Sequence, residues 1–299
     1  MLIQRFIITI LCAMVLFTTA QGQNDFSTRV PPPISPETKL KLEKQLSGAQ
    51  AHYESNPNSP DAIIWLGRRQ AYLGLFTEAI KTFTDGIAKF PADARFYRHR
   101  GHRHITLRQF DRAIADLKKA SELVKGKPDE IEPDGQPNER NIPTSTLQFN
   151  IWYHLGLAYF LTGQGQEALE AYRQCLKVSN SPDRLVATTH WLYMILRRFN
   201  RNSEAVKVLE PITEGMDVIE NTSYYRLVLM YKGILPVERL REDAQGDSAA
   251  SHSVLYGIGN WHLYNRRGAE ASKIFRNILS SQQWTSFGYI AAEADLSRR

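Results

Sequence analysis

The sequence predicts an all-α chain of stacked helical hairpins, an α-solenoid, and three observations predict it. Leu66-Gly67, Gly74, Phe76, Ala79, Phe83, Gly86 and Pro91 are answered 34 positions later by Gly101, Phe110, Ala113, Leu117 and Ala120. Apolar residues elsewhere recur at helical spacing, broken by Asn-, Gly- and Pro-rich punctuation, and do not alternate as strands do. A stack of such units buries its core as a continuous strip, and 42% hydrophobic residues in 299 supply one.

From the start of the chain, Met1 to Arg5 carries one positive charge, Phe6 to Phe17 is apolar, and Thr18 to Gly22 is small and polar. This layout predicts a secretory signal peptide over residues 1–22, cleaved after Ala20 or Gly22. The run is too short for a bilayer, which needs about 20 apolar residues. Leu11 before Cys12 does not fit a lipoprotein signal, and no later segment is long and apolar enough to span. The mature chain is therefore expected to be exported, to the periplasm or beyond. It would keep only Cys175, so no disulfide would brace it. The net charge of +6, from 37 basic and 31 acidic residues, is a mild excess. In an exported protein it points away from nucleic acid and toward acidic peptides, anionic glycans or a membrane surface.

Residues 23–37 contain Pro31-Pro32-Pro33 and Pro36 and read as an extended, solvated linker. The helical array is expected over 38–299. Lys39 to Ser55 has helical spacing and suits an N-terminal cap. Pro60 to Pro91 is the first full copy, with Ile63, Leu66-Gly67, Gly74, Phe76, Ala79, Phe83, Gly86 and Pro91 in place and Gln70 departing from the pattern. This copy resembles a tetratricopeptide repeat, in which small residues let two antiparallel helices approach, large ones fill the gaps, and proline ends the second helix. The resemblance implies a right-handed superhelix of about six hairpins that holds a protein or peptide partner in its concave groove.

The second copy, Ala94 to about Lys127, keeps Tyr97, Gly101, Phe110, Ala113, Leu117 and Ala120 but has Arg100 and His104 at large-residue positions. Arg100 points into the helix pairing and must either snorkel out or find an acid, either Asp116 on the facing helix or a carboxylate of the segment between copies two and three. The third copy starts near Phe149, with Trp152, Leu155-Gly156, Tyr159, Gly163, Ala168, Tyr172 and Cys175. Cys175 there reads as a buried small hydrophobe. Copies at Val186–Asp217, Asn221–Gly246 and His252–Ser281 are weaker, and Trp284–Leu296 reads as a last capping helix with a polar outer side.

Between copies two and three the period slips, because copy three begins at 149 and not at 128. The intervening segment 125–148 has Pro128, Pro133, Pro137 and Pro143 and reads as a long ordered or semi-ordered loop, of the kind that on rigid scaffolds often carries function. It is acidic (Asp129, Glu130, Glu132, Asp134, Glu139), while Ala94–Arg112 before it holds six arginines. Opposite charge so placed predicts that the insert folds back over the second repeat and masks or shapes its basic surface.

No catalytic motif is present, and the chain calls for no cofactor and no metal. His99, His102 and His104 lie on one helix at about 60°, 140° and 160° from one another, so three ligands cannot converge, and flanking arginines repel a cation. His102 and Arg98 are expected on the exposed concave side. The repeat resemblance implies a concave lining of Arg68, Tyr72, Arg95, Arg98, His102, Asn150, Tyr153, Phe160, His190, Arg197, Arg198, Tyr256, Asn260 and Tyr264. Such a basic and aromatic wall suits an extended peptide with carboxylates. The reading is a non-catalytic exported scaffold. Its alternatives are an enzyme or enzyme subunit with a site where insert meets groove, and an envelope-assembly factor that handles anionic glycans.

Overall fold

A computed structural model describes residues 26–298. The segment read as a signal peptide lies outside the described residues. After a 3-10 turn at Phe26–Thr28 come α1 (Pro36–Ser55), α2 (Pro60–Tyr72), α3 (Phe76–Lys89), α4 (Ala94–Thr106), α5 (Phe110–Leu123), α6 (Leu147–Leu161) and α7 (Gly165–Lys177). Then follow α8 (Pro182–Arg198), α9 (Asn202–Leu209), α10 (Thr222–Tyr231), α11 (Val237–Asp243), α12 (Ala249–Tyr264), α13 (Gly268–Leu279) and α14 (Phe287–Ser297). Consecutive helices from α2 to α13 pair as six hairpins, flanked by α1 and α14, and form an α-solenoid. No strand occurs among the described residues beyond the single bridge Ile131–Thr146. Among those residues no helix is long and apolar enough to cross a membrane.

The two helices of a hairpin start differently. Ser59, Asp93, Thr146, Ser181 and Ser248 cap α2, α4, α6, α8 and α12 by accepting from a first-turn N–H. The second helices α3, α5, α7, α9 and α13 have no side-chain cap. Each instead follows a tight turn with one residue in the left-handed region: Gly74 (φ 81°), Arg108 (58°), Gly163 (79°), Asn200 (56°) and Arg266 (61°). Two of the five are arginines, which hold that conformation at a cost glycine does not bear.

Packing inside four of the six hairpins follows one rule. A glycine in the first helix lies under a large residue of the second, so a Cβ on Gly67 would sit 2.5 Å from Phe83, on Gly156 2.7 Å from Tyr172, and on Gly259 2.5 Å from Phe275. Gly101 lies likewise under Leu117, at 2.8 Å. Arg100 makes the expected pair, donating from Nε and Nη2 to Asp116 at 2.8 and 2.7 Å. Cys175 is fully buried beside Thr188, and burial pushes its thiol up to about 12.

The array closes on itself, and two expectations change. The segment Phe26 to Ile34, a 3-10 turn followed by irregular chain, is not free: Trp284 Nε1 donates to the Val30 carbonyl at 2.8 Å, Phe26 packs on the Trp284 indole, and Pro31 lies against Gly74. Helix α14 does stack on α12 and α13, but it has no polar outer side. Gly288, Tyr289, Ile290, Ala291, Ala292, Ala294 and Asp295 are buried, because the face an open stack would leave to water meets α4, α6 and α8. Phe287 touches the rings of His102 and His154, Arg298 donates to the Leu161 carbonyl at 2.5 Å, and Arg108 bonds Glu293 at 2.7 Å and the Trp284 carbonyl at 2.8 Å.

Candidate binding site

Closure sorts the inner-wall residues into three groups. Tyr153, Phe160, His190, Tyr256 and Asn260 are buried between helices. Tyr153 accepts from Trp191 Nε1 at 2.8 Å and donates to Tyr224. His190 stacks on Tyr224 and Tyr231, and burial pushes its imidazole down to about 3. Phe160 lies under the Arg198 guanidinium, 4.6 Å from the ring centre. Arg198 itself bonds Asp295 through two nitrogens at 2.9 and 2.5 Å and also donates to Asn260 and Tyr256. Burial would raise the Asp295 carboxyl, but Arg198 and Arg298 hold it below its ordinary value. These residues take part in the closure and do not face an open groove.

A second group stands at the edges. Arg95, beside the start of α4, pairs with Asp93 and Asp61. Arg197 donates to Tyr193 and Asn265 and lies over the Tyr264 ring, 4.5 Å from its centre.

The third group converges. Arg68 and Tyr72 of α2, Arg98 and His102 of α4 and Asn150 of α6 line one recess of about 270 Å³ under the insert. Arg98 was expected on an exposed face but is buried, because Glu132 of the insert lies over it at 2.9 Å. Arg68 donates to the Pro133 carbonyl at 2.8 Å and Arg69 to the Gly135 carbonyl at 2.6 Å, so the insert is laid on α2 and α4 by guanidinium contacts. At the far end of the insert Arg140 meets Asp217, and Asn138 and Thr144 donate to Glu220.

A second recess, about 480 Å³, adjoins the first and shares Ala71, Tyr72, His102 and Arg103 with it. Its outer wall is Pro31 to Ile34, with Phe76, Gln283 and Thr285 opposite. The two make one trough. Arg103 stands at their junction over the Phe76 ring and has no carboxylate partner among the described residues. Burial, then the charges of Arg98 and Arg68, lower its guanidinium to about 10, still protonated at neutral pH. His99, His102 and His154 are held well below the usual imidazole range by burial and nearby arginines, so they are neutral there. His99 is stacked on Phe83 with Nδ1 at 2.9 Å from Arg98.

Sequence reasoning missed Arg103, Glu132 as the specific partner of Arg98, Asp134 and Glu220. Arg103 lies outside the positions that line the groove of a regular repeat; it lines both the recess under the insert and the one walled by Pro31 to Ile34.

Tetratricopeptide repeat models match residues 66–128 and 149–181. These matches agree with the hairpins at those positions. The chain is similar to the small glutamine-rich tetratricopeptide repeat-containing protein 2 of Saccharomyces cerevisiae, 28% identical over 100 residues, or 33% of this chain and 23% of that protein. It thus spans less than a quarter of that relative's length. Among solved structures it is similar to a tetratricopeptide repeat protein from Parabacteroides merdae (14% identity, 85% of this chain and 94% of that one, TM-score 0.47). It is also similar to MamA (18%, 58% and 88%, 0.44) and to YrrB, described as a TPR protein with an unusual peptide-binding site (12%, 83% and 97%, 0.44). The chain is therefore an α-solenoid that carries tetratricopeptide repeats, at 66–128 and 149–181.

Proposed function

We propose that this chain is an exported, non-catalytic scaffold that holds an acidic peptide segment of a partner protein in the trough between α2, α4, the insert and Pro31 to Ile34. The observation that carries the reading is Arg103, a guanidinium at the junction of two recesses with no carboxylate partner among the described residues. A ligand carboxylate placed there would gain charge-assisted hydrogen bonds in partly desolvated surroundings, where they are stronger than in water. Tyr72 and Phe76 offer ring surface beside it for the ligand's apolar groups. The exported state rests on the charged, apolar and small-residue layout of residues 1–22; intact-mass measurement of the protein recovered from its native envelope should show a start after Ala20 or Gly22.

The binding reading is tested by fluorescence polarisation with acidic peptides acetylated and amidated at their ends, against matched peptides with Gln and Asn. The acidic peptides should bind, weaken with salt, and lose at least tenfold in affinity with Arg103→Gln. Equal binding of acidic and neutral peptides, or indifference to R103Q, would overturn it.

A further inference from the structure

The inner recess carries charge of both signs on facing walls. Arg68 and Arg103 come from α2 and α4; Asp134 comes from the insert and Glu220 from the turn before α10. Arg98 and Glu132 neutralise one another at 2.9 Å, yet each keeps an unsatisfied buried atom: Arg98 Nε has no acceptor and Glu132 Oε2 has no donor. Arg98 is 7% exposed and Glu132 9%, and both line the cavity. Buried polar atoms are almost always satisfied, and here one donor and one acceptor of cavity-lining side chains lack a partner among the described residues.

The acidic side has the same character. Among the described residues no cationic side chain is bonded to Asp134 or Glu220, and burial, then the charge of Glu220, raises the Asp134 carboxyl above its ordinary value against a lowering by Arg68. A positive group between them would relieve that repulsion. A bare metal ion fits poorly, since no three carboxylate, histidine or cysteine side chains among the described residues come together as a ligand set. An ammonium, which donates in three directions over longer distances, fits better. On the opposite wall Arg68 and Arg103 call for a carboxylate. The space, about 270 Å³, equals roughly nine waters at about 30 Å³ each, enough for one or two residues and no more.

We infer that the inner recess binds a compact zwitterion, a free α-amino acid or a dipeptide, with its ammonium toward Asp134 and Glu220 and its carboxylate toward Arg68 and Arg103. This goes beyond the peptide-scaffold reading, which concerns the whole trough and requires no free ends in the ligand.

Titration calorimetry on the full chain with single amino acids and with short peptides tests it, each against its N-acetyl and C-amide derivative. At least one zwitterion should bind, blocking either end should weaken it tenfold or more, and Asp134→Asn and Arg103→Gln should each do the same. Both substituted side chains are half-buried, so circular dichroism and the urea midpoint check that the fold is kept. Preference among single residues or short peptides identifies the source. No binding by any zwitterion at millimolar concentration, or equal binding of blocked and free forms, overturns the inference. Doubly blocked acidic peptides would still bind in either case if the scaffold reading stands alone, and D134N would leave that binding intact.

Discussion

Arg108→Gly and Arg266→Gly form a matched pair in which the same backbone change should shift stability in opposite directions. Both arginines hold left-handed backbone, at φ 58° and 61°. Such a residue gives up about 1–2 kcal/mol, and glycine's freedom in the unfolded chain returns roughly 0.5–1 kcal/mol of the gain. Arg266 is exposed, so R266G should be about 0.5–1 kcal/mol more stable. Arg108 is 10% exposed and bonds Glu293 at 2.7 Å, the Trp284 carbonyl at 2.8 Å and the Thr106 carbonyl at 2.6 Å, with its guanidinium 4.1 Å from the Phe26 ring centre. Hydrogen bonds from a charged group contribute about 1.5 kcal/mol each, the partly exposed pair with Glu293 about 1, and the ring contact about 1. Ordering the side chain costs about 2. R108G should therefore lose about 3 kcal/mol of contacts against the same backbone gain, a net loss of about 2. Urea unfolding of the two variants and the parent, compared at a common m-value, measures the difference. If R108G and R266G shift the midpoint alike, the closing contacts contribute nothing and the account of the fold fails.

Two other outcomes follow. Gly156→Ala sets a methyl 2.7 Å from the buried Tyr172 ring, and overpacking of about 1–3 kcal/mol outweighs the helix-propensity gain of about 1; a variant as stable as the parent in urea would show that the hairpin has slack there. Stability should fall as pH drops below 6.5, because His99, His102, His154 and His190 have folded pKa values below their unfolded ones and the unfolded chain takes up more protons. At about 1.4 kcal/mol per pH unit, His190 alone, folded at about 3 against 6.5, accounts for about 2 kcal/mol by pH 5; urea midpoints that stay level from pH 7.5 to 5 would contradict this.

The hairpins were legible because the contacts that make them are local. Gly67 and Phe83, or Gly156 and Tyr172, lie 16 residues apart and recur with the period. The Arg100–Asp116 pair was legible for the same reason, one turn of logic within one hairpin. Closure was not: Arg108 to Glu293 spans 185 residues and Val30 to Trp284 spans 254, and no periodicity encodes such pairings. Its one visible trace was Arg108 itself, an arginine where the repeat wants glycine. The inner-wall assignment followed an open stack, so it included Tyr153, Phe160 and Tyr256, which here bury against α8, α10 and α14. Charge did forecast that the insert meets the second repeat, but not which arginine would meet it. Arg95 and Arg100 had acids close in sequence, at Asp93 and Asp116, and Arg98 was left for Glu132.

A hairpin array with loose termini can unravel from either side, one unit at a time, and its outermost amides exchange with solvent long before its middle. Riveting the first two hairpins to the last helix through Trp284, Arg108 and Glu293 removes both of those starting points. The amides of α2 and α14 should then exchange on the same slow timescale as those of α6, and the molecule should come apart in a single step.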